Sequence, residues 1–228
     1  MKNHLKTLPA PKTWIIDRKS KRFITRPHPS GHPLSMGLPL GVILRDKLQV
    51  ASTMAEVKKI LINQEILVDG KRRKDHRYQV GLFDVLTITS THHHYRLLLD
   101  HKGRIIITEI PAAESTIKPG KIIGKTILPG GKIQLNLHDG KNILFSKEAA
   151  VGDTIVLQVP DLKVQEVLPL KPGALVFFTE GKHSGDLGQL KEIKGIQVVY
   201  SQAGKDIETT KKYAFVLGNK KAIITLPE

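Results

Sequence analysis

Between residues 104 and 168 the sequence is broken into short β-branched runs, each closed by a turn signal before a long helix could form. Arg104–Ile110, Lys121–Leu128 and Lys132–Leu137 are strand candidates. Pro129-Gly-Gly131 and Asp139-Gly140 supply the turns, and Asn142–Phe145 reads as a return strand. Asp153–Val159 and Lys163–Leu168 continue the pattern. Short strands leave unpaired edges, and closure into a small barrel removes them, so residues 95–170 are expected to form a central all-β domain. Pro169-Leu-Lys-Pro-Gly173 reads as a linker. Beyond it, Ala174–Phe178, Gln189–Ile193, Ile196–Tyr200 and Tyr213–Leu217 predict a second small barrel over residues 171–228. No common period relates these segments, which excludes a repeat protein.

Residues 38–94 have a different texture. Leu40, Ile43, Leu44 and Leu48 recur at helical spacing. Thr53-Met-Ala-Glu56 has the form of a capping box, in which the threonine oxygen accepts from the amide three residues on while the glutamate reaches back. The helix it starts should turn Val57, Ile60 and Leu61 inward and Lys58 and Lys59 outward. Ile66–Val68 reads as a strand, Asp69-Gly70 as a tight turn, Lys71–Lys74 as a basic return, and Asp84–Thr89 as a further strand. A compact α+β unit follows from this order.

The first 37 residues hold eight lysines or arginines, one acid (Asp17) and prolines at 9, 11, 27, 29 and 33. Prolines break helices, and apolar residues are too sparse to offset the entropy of folding alone. A basic extended arm that orders on a polyanion is expected, with Trp14, His28 and His32 available to stack or pack on sugars and bases.

Over 228 residues, Lys plus Arg number 36 against 21 acids, a formal charge of +15. Such an excess needs an anionic partner, and RNA, DNA and acidic membranes are the usual ones. Cysteine is absent, which excludes disulfides, zinc ribbons and thiol nucleophiles. The initial Met-Lys-Asn-His-Leu-Lys has no apolar run behind it, so no signal peptide is expected. No stretch approaches the about 20 apolar residues of a membrane helix, so no membrane partner is expected either.

Candidate RNA contacts follow from charge and position. In the arm they are Lys2, His4, Lys6, Lys12, Trp14, Arg18, Lys21, Arg22, Arg26, His28 and His32. In the α+β unit they are Arg45, Lys47, Lys58, Lys59, Lys71, Arg72, Arg73, Lys74 and Arg77. A helix face beside a basic hairpin can grip phosphates across a groove, releasing counterions. In the last barrel the run Gly181-Lys-His-Ser-Gly-Asp-Leu-Gly188 offers Lys182 and His183. Gly181, Gly185 and Gly188 are expected to supply positive φ in a loop between strands. Their spacing fits no nucleotide fingerprint. His92-His93-His94 would point to alternate faces of a strand, so no metal site is expected, and the three read as a polar linker. No cofactor or small-molecule substrate is expected, and no motif of a hydrolase or metalloprotease is present.

These residues carry a resemblance. His4-Leu-Lys6, Ala10-Pro-Lys12 with Trp14 and Asp17, Leu38-Pro-Leu40, Glu56-Val-Lys-Lys-Ile60, Val68-Asp-Gly-Lys71, Asp84-Val85 and Lys102-Gly-Arg104 resemble the family of small-subunit ribosomal protein four of the archaeal and eukaryotic type. The likeness runs along the whole chain and is tightest in the first 105 residues. It implies an arm over 1–37 and, over 38–94, an RNA-binding unit of the kind shared with some pseudouridine synthases. It also implies a central β domain and a C-terminal KOW-type barrel, with Phe178–Ile193 similar to the KOW pattern. Asp186 stands where that pattern commonly has a basic residue. The implied function is structural: binding of small-subunit rRNA beside neighbouring ribosomal proteins in the cytoplasm, without catalysis. Its rivals are an RNA-modifying enzyme of pseudouridine-synthase type and a free KOW-containing transcription or assembly factor.

Overall fold

A computed structural model describes residues 3–145, 148–202, 204–219 and 221–226. The chain divides into two compact units, Met1–Leu98 with Arg104–Thr116, and Leu99–Gly103 with Ile117–Glu228. Helix is confined to short segments and several antiparallel sheets carry the regular structure, so the molecule is mostly β, with its longest helix inside the α+β unit expected over residues 38–94. Among the described residues, no helix is long and apolar enough to cross a membrane.

In the first unit a small ribbon pairs β1 (Leu5–Lys6) with β2 (Phe23–Ile24). Then come β3 (Gly37–Pro39), α1 (Leu40–Val42) and a π-helical stretch, Ile43–Lys47, in which the Leu48 amide reaches back five residues to the Ile43 carbonyl at 2.9 Å. α2 (Met54–Asn63) starts at the expected capping box. The Glu56 amide donates to Thr53 Oγ1 at 3.2 Å, and the Glu56 carboxylate accepts from the Ser52 and Thr53 amides at 2.9 and 3.3 Å. Leu40, Ile43, Leu44, Val57 and Leu61 are fully buried, each burial contributing about 1.5–3 kcal/mol. Ile60 is only half-buried, because the inward stripe of so short a helix narrows to Val57 and Leu61.

β4 (Ile66–Val68) and β5 (Lys71–Arg72) form a hairpin. Asp69 and Gly70 take φ of 50° and 70°, the left-handed pair that a two-residue turn requires. β6 (Gln79–Gly81) pairs with β3, while β7 (Val85–Ile88), β8 (His93–Leu99) and β9 (Ile105–Ile110) complete a sheet ordered β5-β4-β7-β8-β9.

The segment read as an extended arm packs onto this unit. Trp14 is 2% exposed, the Ile105 amide donates to the Thr13 carbonyl at 2.8 Å, and Thr13 Oγ1 donates to the Ser35 carbonyl at 2.6 Å. His32 is buried beside Asp84 at 3.4 Å, and its ring lies so close to Gly81 that a Cβ there would overlap it. One large indole and a set of backbone acceptors supply the partners that composition alone does not reveal.

The second unit is built on β10 (Ile117–Ile127), β11 (Ile133–Leu137), β12 (Asn142–Leu144), β13 (Thr154–Gln158) and β14 (Lys163–Leu168), in the order β12-β11-β10-β13-β14. β10 pairs with β13 through its first half and with β11 through its second, bending at a bulge between Ile122 and Gly124. A second sheet, ordered β18-β17-β16-β15-β19, holds β15 (Leu175–Phe178), β16 (Leu187–Lys194), β17 (Gln197–Gln202), β18 (Lys205–Thr210) and β19 (Ala214–Gly218). β13 is apolar on both faces and both are used. Ile155 and Leu157 join Ile122, Leu135 and Leu137, whereas Val156 joins Val176, Phe178, Val198 and Val216.

Candidate nucleic-acid interface

The hairpin and α2 bring one group of predicted residues together. The Arg72 guanidinium donates to the Ile62 carbonyl at 2.9 Å, placing a cation on the last turn of α2, where unsatisfied carbonyls carry partial negative charge. That bond fixes the basic hairpin beside the exposed Lys58 and Lys59. Burial, followed by the charge of Lys58, lowers the pKa of His76, so Lys58 also acts on the loop that follows the hairpin. Lys71 and Lys74 are exposed. Among the described residues, the side chains of Lys58, Lys59, Lys71 and Lys74 have no hydrogen-bond or ion-pair partner within the protein. Arg73 is different: it is half-buried, with its guanidinium 4.2 Å from the centre of the Tyr78 ring.

Other predicted contacts also make bonds within the protein. Arg18 donates to the carbonyls of Leu8, Ala10 and Pro11 at 3.1, 2.8 and 2.8 Å. Arg45 binds Asp46 through two hydrogen bonds of 2.7 and 2.8 Å, Lys47 donates to the Ile15 carbonyl at 2.7 Å, and Arg77 donates to the Arg26 carbonyl at 3.0 Å. Arg26 is half-buried, and His28 lies 3.1 Å from Asp75. Trp14 and His32 are buried, so neither is presented on this surface for stacking. His4, Lys6, Lys12, Lys21 and Arg22 face solvent, and Lys2 lies outside the described residues. Phe23, half exposed between Arg22 and Ile24, was not among the predicted residues. Its signal is an aromatic residue immediately after a run of cations.

In the second unit, Lys182 is exposed in the loop between β15 and β16, and His183 lies 3.2 Å from Asp186. The Tyr200 hydroxyl donates to the same carboxylate at 3.2 Å, and burial together with Asp186 pushes the phenol's pKa up. Asp186 therefore has a structural partner in the tyrosine. Gly181 and Gly185 have φ of 86° and 92°, as expected. Gly188 does not: it sits inside β16 with no positive φ, and its missing side chain instead makes room for the Tyr200 ring.

The three histidines are not a linker. His93 opens β8 and lies 2.5 Å from Glu109, while His94 Nδ1 is 3.0 Å from Thr87 Oγ1. His92 takes φ of 54° in the preceding turn. The hydrogen-bonding capacity of imidazole is used across the sheet.

With this geometry in place, known proteins supply context. Residues 91–164 match a family model described as Ribosomal family S4e, and residues 1–35 match the RS4NT domain. The small ribosomal subunit protein eS4 of Methanocella arvoryzae is 42% identical over 222 residues, spanning 95% of this chain and 94% of its own. That of Archaeoglobus fulgidus is 42% identical over 223 residues, with the same shares. The crystal structure of the 30S ribosomal protein S4e from Thermoplasma acidophilum is similar with a TM-score of 0.69 and 30% identity, covering 81% of this chain and 95% of that one.

Proposed function

Because the chain belongs to ribosomal family S4e, we propose that it works as a structural constituent of the small ribosomal subunit, where it binds small-subunit rRNA and supports translation without catalysis. The observation that carries the RNA-binding role is the group of exposed, unpartnered lysines on α2 and the β4–β5 hairpin. Each one that meets a phosphate releases condensed counterions, the main source of affinity in such complexes. Phosphate contacts fix register and orientation rather than sequence, as suits a protein that braces rRNA helices beside neighbouring ribosomal proteins.

The finer assignment is also ours. Residues 1–37 act as a basic arm laid on the first unit, 38–94 as the RNA-binding domain, 95–170 as a central β domain, and 171–228 as a KOW-type barrel whose loop presents Lys182. Neither a pseudouridine-synthase-type enzyme nor a free transcription or assembly factor gains support, because the relatives matched along nearly their whole length are ribosomal proteins. Co-sedimentation of the native protein with small subunits through a high-salt cushion tests the role. Release into the free fraction at moderate salt would contradict it.

A further inference from the structure

A cleft of about 570 Å³ lies in the first unit between the β1–β2 ribbon, the loop that follows Trp14, and the π-helical stretch after α1. Its apolar wall includes Ile15, Ile24 and Phe23, with Phe23 48% exposed and Ile15 39% exposed. An aromatic ring left half in water needs a reason, and its surroundings suggest one. Phe23 pairs with Lys6 across the ribbon, Arg22 lies over the ring at 5.4 Å, and His4 tilts against it at 5.7 Å. A guanidinium and an imidazole around an exposed phenyl ring have the composition of a base-stacking platform.

The charges that line the cleft balance. Lys21 and Arg45 stand with Asp17 and Asp46, and Arg45 and Asp46 are bound to each other at 2.7 Å. A neutral, part-apolar cavity suits a nucleobase, with its apolar faces and polar edges, better than it suits a phosphate. The unbalanced cations lie around it: Lys6, Lys19 and Arg22 are exposed. Gln49 also lines the cleft, with φ of 52°, a conformation a side-chain-bearing residue seldom takes. Among the described residues, its amide, both donor and acceptor, makes no hydrogen bond within the protein.

We propose that this cleft seats one unstacked base of ribosomal RNA, with the base stacked on Phe23, its edge on the Gln49 amide and the adjoining phosphates on Lys6 and Arg22. The site rests on the RNA-binding role above and adds to it an interaction that depends on an exposed base rather than on charge.

The test titrates the full-length chain with a small-subunit rRNA transcript. Phe23→Leu keeps an apolar side chain on the ribbon but removes the π face, and Phe23→Tyr keeps both. The leucine variant should bind roughly tenfold more weakly, within the range for losing one stacked base, while the tyrosine variant stays within about twofold. The salt dependence of both should match the parent, since no cation is removed. In reconstituted subunits, a photoreactive benzoylphenylalanine in place of Phe23 should crosslink to RNA. Unchanged affinity of Phe23→Leu, or a loss accompanied by a lower melting temperature, would overturn the site. Crosslinking to a neighbouring protein would instead assign the cleft to that partner and overturn the site too. Failure of the parent chain to bind rRNA would overturn the role above, whereas intact parental binding with an indifferent Phe23→Leu overturns the site alone.

Discussion

Lys118 and Asp139 meet at 3.0 Å inside the second unit, each side chain 1% exposed, with Lys141 approaching the same carboxylate at 3.2 Å. Burial works to raise the pKa of Asp139, but the charges of Lys118, Lys141 and His138 outweigh it and hold the carboxyl well below its ordinary range. The folded state thus takes up this proton at lower pH than the unfolded chain. The stabilisation is complete above the unfolded value of about 4 and is lost as pH falls toward the depressed folded value. Acid titration of stability should show the loss starting below about pH 4–5, and Asp139→Asn should flatten it. Removing the carboxylate facing a buried ammonium should also cost about 3–5 kcal/mol at neutral pH, read from denaturant midpoints.

Exposure sorts the cations on the α2 and hairpin surface. Changing Lys58, Lys59, Lys71 and Lys74 together to alanine should leave unfolding within about 1 kcal/mol of the parent, because exposed substitutions cost little. The same variant should weaken rRNA binding and lower the slope of log K against log salt by about 0.7–0.9 for each phosphate that the lysines had neutralised. An unchanged slope would show these lysines to be merely solvated. Arg73→Ala should show the opposite balance, a measurable loss of stability with little change in slope, since its guanidinium stacks on Tyr78.

Periodicity and turn chemistry made much of the strand order readable. Lys163–Leu168 was predicted to the residue, and the Thr53–Glu56 capping box and the Asp69-Gly70 turn are where their side-chain and φ requirements put them. β18 was missed because it is an edge strand whose residues are all polar except Ile207, and therefore has no alternating apolar signature. Charge was the less readable property. Arg96, Lys118 and Lys121 are buried cations, yet in sequence they look no different from Lys58 or Lys71. Arg96 pairs with Glu114, and desolvation pulls its guanidinium down to about 10. Which cation braces the fold is settled by partners distant in sequence, such as the Ile15 carbonyl that holds Lys47.

Trp14 turns the packing of the arm into a measurement. It is the chain's one tryptophan, so fluorescence of the free protein reports this site alone. Buried at 2% exposure, it should emit in the blue and resist external quenchers without RNA. Trp14→Ala should destabilise the first unit by about 3–5 kcal/mol, the usual cost of deleting a large buried aromatic. Red-shifted, freely quenched emission that turns blue only on adding rRNA would restore the picture of an arm that orders on binding.

The loop between β15 and β16 separates backbone requirements from surface chemistry. At Gly185, φ of 92° already disfavours any L side chain, and a Cβ would fall on the Asp100 carbonyl. That oxygen belongs to backbone, which cannot swing aside as a flexible side chain could. Gly185→Ala should therefore cost well over about 1 kcal/mol, beyond the left-handed penalty alone. Gly188→Ala should also be costly for a different reason: its backbone is ordinary strand, but a Cβ would strike the Tyr200 ring and lie 2.9 Å from the Ser201 carbonyl. At Gly181 the nearest atoms are the edge of the Tyr213 ring at 3.3 Å, a tight contact that a small shift of the side chain relieves, so the positive φ dominates and the loss should stay near 1–2 kcal/mol. Lys182→Ala, at an exposed position, should move stability by less than about 0.5 kcal/mol. Melting curves of the four variants would establish the order Gly185, Gly188, Gly181, Lys182. Tolerance at Gly185 together with a large loss at Lys182 would show the loop to be held by side-chain interactions instead of by its backbone.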